Sequence, residues 1–361
     1  MRIDLFCQVV DNYGDIGVCW RLARQLAAEH GCEVRLIVDD LGAFRFIAPE
    51  IDSAAKHQSL LGVAVVAWRA AEALIPADAV IEAFACNPPA AYVEAMAQRS
   101  PKPVWINLEY LSAEAWVDDI HGMPSAHQRL PLTKYFFCPG FTEASGGLIR
   151  ETAVGATRRD PSDTSGRDKS LLQGNAPRLS PLQLFAFAYP HAPVRALAQG
   201  LRAAGVPTTV TLAAPLAGTA PDWQIAAPVA QTQFDALLTD FDFLIVRGED
   251  SFMRAQWAAK PFLWHIYPTD DGAHLIKLDA WLDNYCIGLA PNARAAYRAA
   301  SLAFNVAKGD DTQASEYAIL APHINELVAH AARRRDTLMQ QTDLATRLME
   351  FVGAHKAENL G

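Results

Sequence analysis

Two tandem α/β domains, each a doubly wound parallel sheet, are predicted by three features of this sequence. Its 361 residues exceed what a single hydrophobic core usually serves. Its apolar runs are short and nearly continuous and alternate with helical patterns, as in strands covered on both faces. The alternation also stops across a polar stretch in mid-chain and then starts again.

In chain order, IDLFCQVV (3–10), EVRLIVD (33–39), VAVVAW (63–68), AVIEAF (79–84), VWINLEY (104–110) and KYFFCPG (134–140) read as strands, with helical patterns at 16–30, 43–49 and 89–99. Residues 151–180 break the pattern: TRRDPSDTSGRDKSLLQGNAPRLSP is polar and rich in turn formers, so 157–180 reads as a linker or loop. The alternation resumes with strands at 182–190, 208–214, 242–248 and 261–268, and helices at 194–205, 233–241 and 251–259. Helices fill the remainder, and one long helix is expected over about 323–356. The expected division is an N-terminal domain at 1–156 joined by the C-terminal helix at 336–361, and a second domain at 181–335. Such a pair buries ligands where the carboxyl ends of its sheets face each other across a cleft, and the terminal helix would strap the two halves.

The composition, 51% hydrophobic and 20% charged, is that of an ordinary globular protein. A net charge of -9 argues against broad nucleic-acid binding. No apolar run approaches the ~18 residues that span a bilayer. The N-terminal MRIDLFCQVVDN lacks the apolar stretch and cleavage site of a signal peptide. Six cysteines without a C-x-x-C pair, most in apolar segments, read as reduced core residues. These points together predict a cytoplasmic protein with no nucleic-acid or membrane partner.

Two strand-to-helix junctions carry chemistry. VVDNYGDIG places Asp11 and Asp15 four residues apart, where a backbone turn and a helix dipole would otherwise favour an anion. No G-x-G-x-x-G is present, so a dinucleotide is disfavoured. Two acids there suit a cationic group or a proton to be removed, although an Asx-turn and a helix cap explain the same residues. The second junction, LIVRGEDSFMRAQW, offers a cation at Arg247, close backbone approach at Gly248 and an acceptor of sugar hydroxyls at Glu249. It also has helix-start N–H groups at Asp250 and Ser251, with the Ser251 hydroxyl beside them, for a diphosphate. An ordinary capped helix would account for Asp250 and Ser251 but not for Arg-Gly before them. Phe185, Phe187, Tyr189, Phe234, Trp264, His265 and Tyr267 cluster in this half, where flat rings stack on a nucleobase or simply form core. Asp240 and Asp242, the run Asp270, Asp271 and His274, and the basic ARRRD segment read as caps, a helix start and a solvated face. GFTEASGGLIRE (140–151) reads either as a turn or as a loop that approaches a ligand.

DNYGDIGVCWRLARQL, INLEYLSAE, CPGFTEASGGLIRE, LFAFAY and RGEDSFMRAQWAAKPFLWHIYPTDDGAHLIKLDAW, spread from residue 7 to about 281, together resemble the arginine rhamnosyltransferases of bacterial elongation factor P, the EarP family. The resemblance implies a GT-B fold and an inverting glycosyltransferase that needs neither metal nor cofactor. The implied donor is dTDP-β-L-rhamnose and the implied acceptor is elongation factor P, held by the N-terminal domain. It further implies that Asp11 and Asp15 are the catalytic aspartates. Arg247, Gly248, Glu249, Asp250 and Ser251 would contact diphosphate and sugar, with Glu249 joining the catalytic set. Phe187, Tyr189, Gln231 and Phe234 would hold the base.

Two carboxylates make sense for such an acceptor. A guanidinium stays protonated, with a pKa above ~12, and attacks carbon only if it is oriented and loses a proton as the bond forms. We assign Asp15 as the base and Asp11 as its orienting partner, a pattern that also accommodates the reverse. Charge growing on the diphosphate would be met by Arg247 and the helix start at 249–251. Because the chain is acidic, acceptor recognition would rest on shape, sheet-edge contacts and local charge, with Glu109 and Tyr110 as contact candidates. The rival readings are a GT-B enzyme using another dTDP-sugar or acceptor, a non-catalytic nucleotide-binding protein, and a nicotinamide-dependent oxidoreductase, the last disfavoured by the missing glycine fingerprint.

Overall fold

The structure is a computed structural model and describes residues 1–10, 13–152, 180–216, 218, 223–306 and 314–358. The chain divides into two compact units, Met1–Glu151 with Gln340–Gly361, and Thr152–Met339. All but Ser180 of the linker read at 157–180 lies outside the described residues.

The first unit runs β1 (Arg2–Cys7), α1 (Gly14–His30), β2 (Glu33–Val38), α2 (Leu41–Ile47), β3 (His57–Leu60), β4 (Val63–Ala67), β5 (Ala79–Ala83), α3 (Ala90–Gln98), β6 (Val104–Leu108), α4 (Trp116–Ile120), β7 (Pro124–Ala126) and β8 (Thr133–Phe137). Its eight-stranded sheet has the order β3-β4-β2-β1-β5-β6-β8-β7. The pairs from β4 through to β8 are parallel, and β3 and β7 are antiparallel edge strands. Phe6, Ile37, Val80 and Trp105 pack with Tyr92 and Met96 of α3 in one core cluster. β3 is absent from the sequence reading. Its hairpin turns on Leu61 (φ +46°) and Gly62 (φ +80°), both left-handed, as two-residue hairpin turns with positive φ require. Leucine is an unusual residue at the first of these positions, which hid the turn.

The second unit runs β9 (Leu182–Ala186), α5 (Val194–Ala203), β10 (Thr208–Leu212), β11 (Gln224–Ile225), α6 (Gln231–Thr239), β12 (Phe243–Arg247), α7 (Asp250–Ala258), β13 (Phe262–His265), α8 (Ala273–Tyr285), α9 (Pro291–Val306), α10 (Ala314–Ala318) and α11 (Ile324–Leu338). Its sheet is parallel throughout, in the order β11-β10-β9-β12-β13. In both sheets the strand order reverses beside the unit's first strand, between β1 and β5 and between β9 and β12. The crevice at the carboxyl ends of such strands is where doubly wound sheets bind ligands. Both junctions singled out in the sequence follow a strand at a switch point: 8–15 follows β1 and 248–251 follows β12.

The long helix expected over 323–356 is two helices. α11 ends at Leu338, and α12 (Leu344–Glu358) begins after Asp343, whose carboxylate accepts from the Thr346 N–H (3.1 Å) and hydroxyl (2.7 Å). This capped break lets α12 join the first unit: Leu344, Ala345, Leu348 and Val352 are buried, Phe351 packs edge-on to Phe137 (5.8 Å), and Gln25 of α1 donates to Asp343 (3.0 Å). The chain therefore returns at residue 340 and not at 336.

All six cysteines are buried and free. Among the described residues, no helix is long and apolar enough to cross a membrane. The basic run is not wholly a solvated face, because Arg334 turns inward to donate to Asn284. The 140–151 loop is built into the first unit: Arg347 of α12 donates to the carbonyls of Glu143 (2.6 Å) and Ser145 (2.7 Å), and Glu151 receives the fully buried Arg21 (2.6 Å). A Cβ on Gly146 would stand 2.6 Å from the Phe137 ring, so close packing explains that glycine. Asp271 accepts from Thr269 and from the Ala273 N–H, the helix start expected there.

Candidate active site

In the first unit, Asp15 lies in the first turn of α1. Oδ2 accepts from the Val10 N–H (2.8 Å) and Oδ1 from the Tyr110 hydroxyl (3.0 Å), and the residue is only 2% exposed. Tyr110 comes from the loop after β6, and its ring stacks on Phe84, after β5, at 4.1 Å and 8°. Nearby, Asn107 donates to Glu109, whose carboxyl is pushed up from its ordinary pKa mainly by burial. Val10 and Phe46 are exposed, and Phe46 packs against Tyr13 (5.4 Å). Asp11 lies outside the described residues.

In the second unit, Gly248 (φ +58°) makes the sharp exit from β12 toward α7, a conformation natural to glycine. The Trp264 indole donates to its carbonyl (2.9 Å). Glu249 occupies the cap position without a side-chain cap bond. The Ser251 hydroxyl is turned back on the backbone: it accepts from the Arg247 N–H (3.1 Å) and donates to the Arg247 carbonyl. It ties the strand end to the helix.

Arg247 places its guanidinium over Phe187 (4.6 Å) and Tyr189 (4.9 Å). The cation and the two rings expected to hold a base thus form one stack. Phe187 also meets Phe234 (5.7 Å), whereas Phe185 is fully buried core. Gln231 donates to Asp250 (2.8 Å), so Gln231, Phe234, Phe187, Tyr189, Arg247 and Asp250 are gathered at one switch point.

Residues that the sequence did not place in the site support it. Arg254, 2% exposed, contacts both Asp250 oxygens (3.1 and 3.2 Å) and Asp235 (2.7 Å), and its i+4 spacing from Asp250 was a visible signal. His265, at the end of β13, accepts from the Tyr189 N–H through Nδ1 (3.2 Å). Burial first, then Arg247 and two other histidines, lower its pKa to about 4, so the ring is neutral at physiological pH. Phe84 and Tyr110 stand just past adjacent strands, but nothing local to either sequence links them to Asp15.

Two Rossmann-like units, each a doubly wound parallel sheet, are the architecture of the GT-B fold. TcCGT1 in complex with UDP shares the fold, with a TM-score of 0.55 at 10% identity over 99% of each chain. The model of the family described as elongation-factor P (EF-P) rhamnosyltransferase EarP matches residues 3–353, and the chain belongs to that family. Protein-arginine rhamnosyltransferases of Pseudomonas putida (44% identical, covering 96% of this chain and 97% of theirs) and Neisseria meningitidis (35%, 98% and 97%) are among its relatives. A solved structure described as the structural basis for EarP-mediated arginine glycosylation of translation elongation factor EF-P superposes with a TM-score of 0.62 at 31% identity, covering 98% of this chain and 99% of that one. The chain is accordingly an enzyme, a glycosyltransferase of the arginine-rhamnosylating family.

Proposed function

We propose that this enzyme transfers L-rhamnose from dTDP-β-L-rhamnose to an arginine of elongation factor P, with inversion at the anomeric carbon and without a metal or cofactor. Family membership supports the reaction class, and Asp15 is the observation that carries the mechanism. It is a carboxylate at the switch point of the first unit, buried and held on both oxygens.

In this reading a guanidinium nitrogen of the acceptor attacks the anomeric carbon from the face opposite the leaving group. The C–N bond forms as the bond from that carbon to the diphosphate oxygen breaks. The proton released by the guanidinium passes to Asp15, and dTDP leaves with the electron pair. Asp11 would orient the guanidinium. The developing diphosphate charge would be met by the N–H groups at 249–251 and by Arg247, which must turn from the rings if the thymine is to use the same ring face. Glu249 would accept sugar hydroxyls, and Gln231 and Phe234 would line the base. The site lies in a cytoplasmic protein on this reading.

Intact-mass spectrometry tests the proposal. Elongation factor P incubated with dTDP-β-L-rhamnose, the enzyme and EDTA should gain one deoxyhexose, and the gain should vanish with Asp15→Asn. No gain with wild type that binds dTDP would refute the acceptor assignment. A gain with other dTDP-sugars at equal rate would refute the donor assignment.

A further inference from the structure

Asp15 is separated by 95 residues from the hydroxyl that touches it, and the path between them is unusual. β5 and β6 are neighbours, with Ala83 opposite Leu108. Immediately beyond β5 the chain passes through three non-glycine residues with left-handed φ: Phe84 (+57°), Ala85 (+54°) and Asn87 (+48°). Phenylalanine and alanine adopt this conformation only at an energetic cost, and such clusters persist where the surroundings over-determine them. Here the surroundings are specific. The Phe84 N–H donates to the Leu108 carbonyl (2.7 Å), the Ala85 N–H to the side chain of buried Asn107 (3.0 Å), and the Asn87 amide to the Ala85 carbonyl (2.8 Å).

The conformation achieves one visible thing: it lays the Phe84 ring flat against Tyr110 at 4.1 Å. Burial does not explain the pair, since Tyr110 remains 38% exposed. The stack fixes the plane of the Tyr110 ring, and hence the direction from which its hydroxyl reaches Asp15. With the Val10 N–H on the other oxygen, the carboxylate has no freedom to rotate.

We propose that Tyr110 is a positioning residue for Asp15, held in place by Phe84, and that the strained exit of β5 exists to present that ring. The proposal rests on the reading of Asp15 as the base. Tyr110 orients the carboxylate through its hydroxyl.

The test is steady-state rhamnosylation of elongation factor P, with melting temperature measured alongside. Tyr110→Phe keeps the ring stack and removes the hydroxyl. It should lower kcat by about tenfold or more, the usual effect of deleting a hydrogen bond to a charged group, with acceptor KM within about twofold. Phe84→Ala should lower kcat in the same direction, and Phe84→Trp, which restores a flat ring, should recover it. Unchanged kcat in Tyr110→Phe, or a rise in acceptor KM alone, would overturn the positioning role and leave Tyr110 as spectator or acceptor contact. Asp15→Asn separates the two layers. Full activity there sinks the base assignment itself, whereas an inactive Asp15→Asn beside a normal Tyr110→Phe sinks only the present inference. Tyr110→Phe decides the matter even if Phe84→Ala does not fold.

Discussion

Replacing Arg254 with methionine keeps an unbranched apolar stem and deletes the charged head. In the native protein the side chain of Arg254 is 1% exposed and joins Asp250, 14% exposed, to Asp235, 40% exposed. Asp235 is open enough to be rehydrated, so its share is that of a surface pair, at most about 1 kcal/mol. Asp250 is left with an uncompensated charge in a mostly buried position, a situation that costs about 3–5 kcal/mol when a fully buried pair is broken. The Gln231 amide still donates to Asp250 and softens the loss. The expected destabilisation of the second unit is therefore about 3 kcal/mol, which corresponds to a melting shift of about 6–12 °C for a unit of this size. Asp250 also ties Gln231 to the start of α7, so dTDP affinity should fall by about tenfold, equivalent to about 1.4 kcal/mol. Differential scanning calorimetry and titration calorimetry with dTDP read the two effects. Arg254→Lys should rescue only partly, since an ammonium cannot span two carboxylates as the guanidinium fork does. A melting shift below about 2 °C with unchanged dTDP affinity would refute the reasoning.

Further expectations concern other parts of the molecule. His265 has a folded pKa of about 4 against an ordinary 6.5, so the unfolded chain binds the extra proton between these values. Its contribution to stability, about 3 kcal/mol, is fully present above pH 6.5 and is lost as pH falls toward 4. Urea midpoints measured across that window should fall less steeply in His265→Asn. Arg247→Ala should lower kcat by about 10²–10³-fold if it meets leaving-group charge, with melting temperature nearly unchanged, as single-turnover kinetics would show. Leu61→Asn, at an exposed hairpin position with φ +46°, should stabilise the first unit by about 1 kcal/mol in chemical denaturation. Phe351→Ala removes the ring that α12 packs against Phe137 and should destabilise the first unit by about 3 kcal/mol or more in the same assay.

Much of the fold was legible because parallel strands and their covering helices write themselves in local patterns. The ten strands read from apolar runs are all present, each shorter by one to four residues at its ends. Three strands escaped. β3 leads into a turn whose first residue is leucine, while β7 and β11 are short edge strands of three and two residues without an apolar run. The break between α11 and α12 escaped as well, although Thr342-Asp343 before an apolar helix is a cap signal, because both flanks continue in helix-forming residues.

By itself, the sequence determined the class of fold, the two strand-to-helix junctions and the residue types gathered at them, since each depends on the order of neighbours along the chain. Only the tertiary structure decided how those residues are employed. It turned the Ser251 hydroxyl back on its own strand, laid Arg247 on Phe187 and Tyr189, buried Arg254 beneath Asp250 and joined Tyr110 to Asp15. It also set where the chain returns to the first unit, at Gln340. Strand order and register bring together groups tens to hundreds of residues apart, and a periodicity of two or 3.6 residues carries no record of which strands will be neighbours.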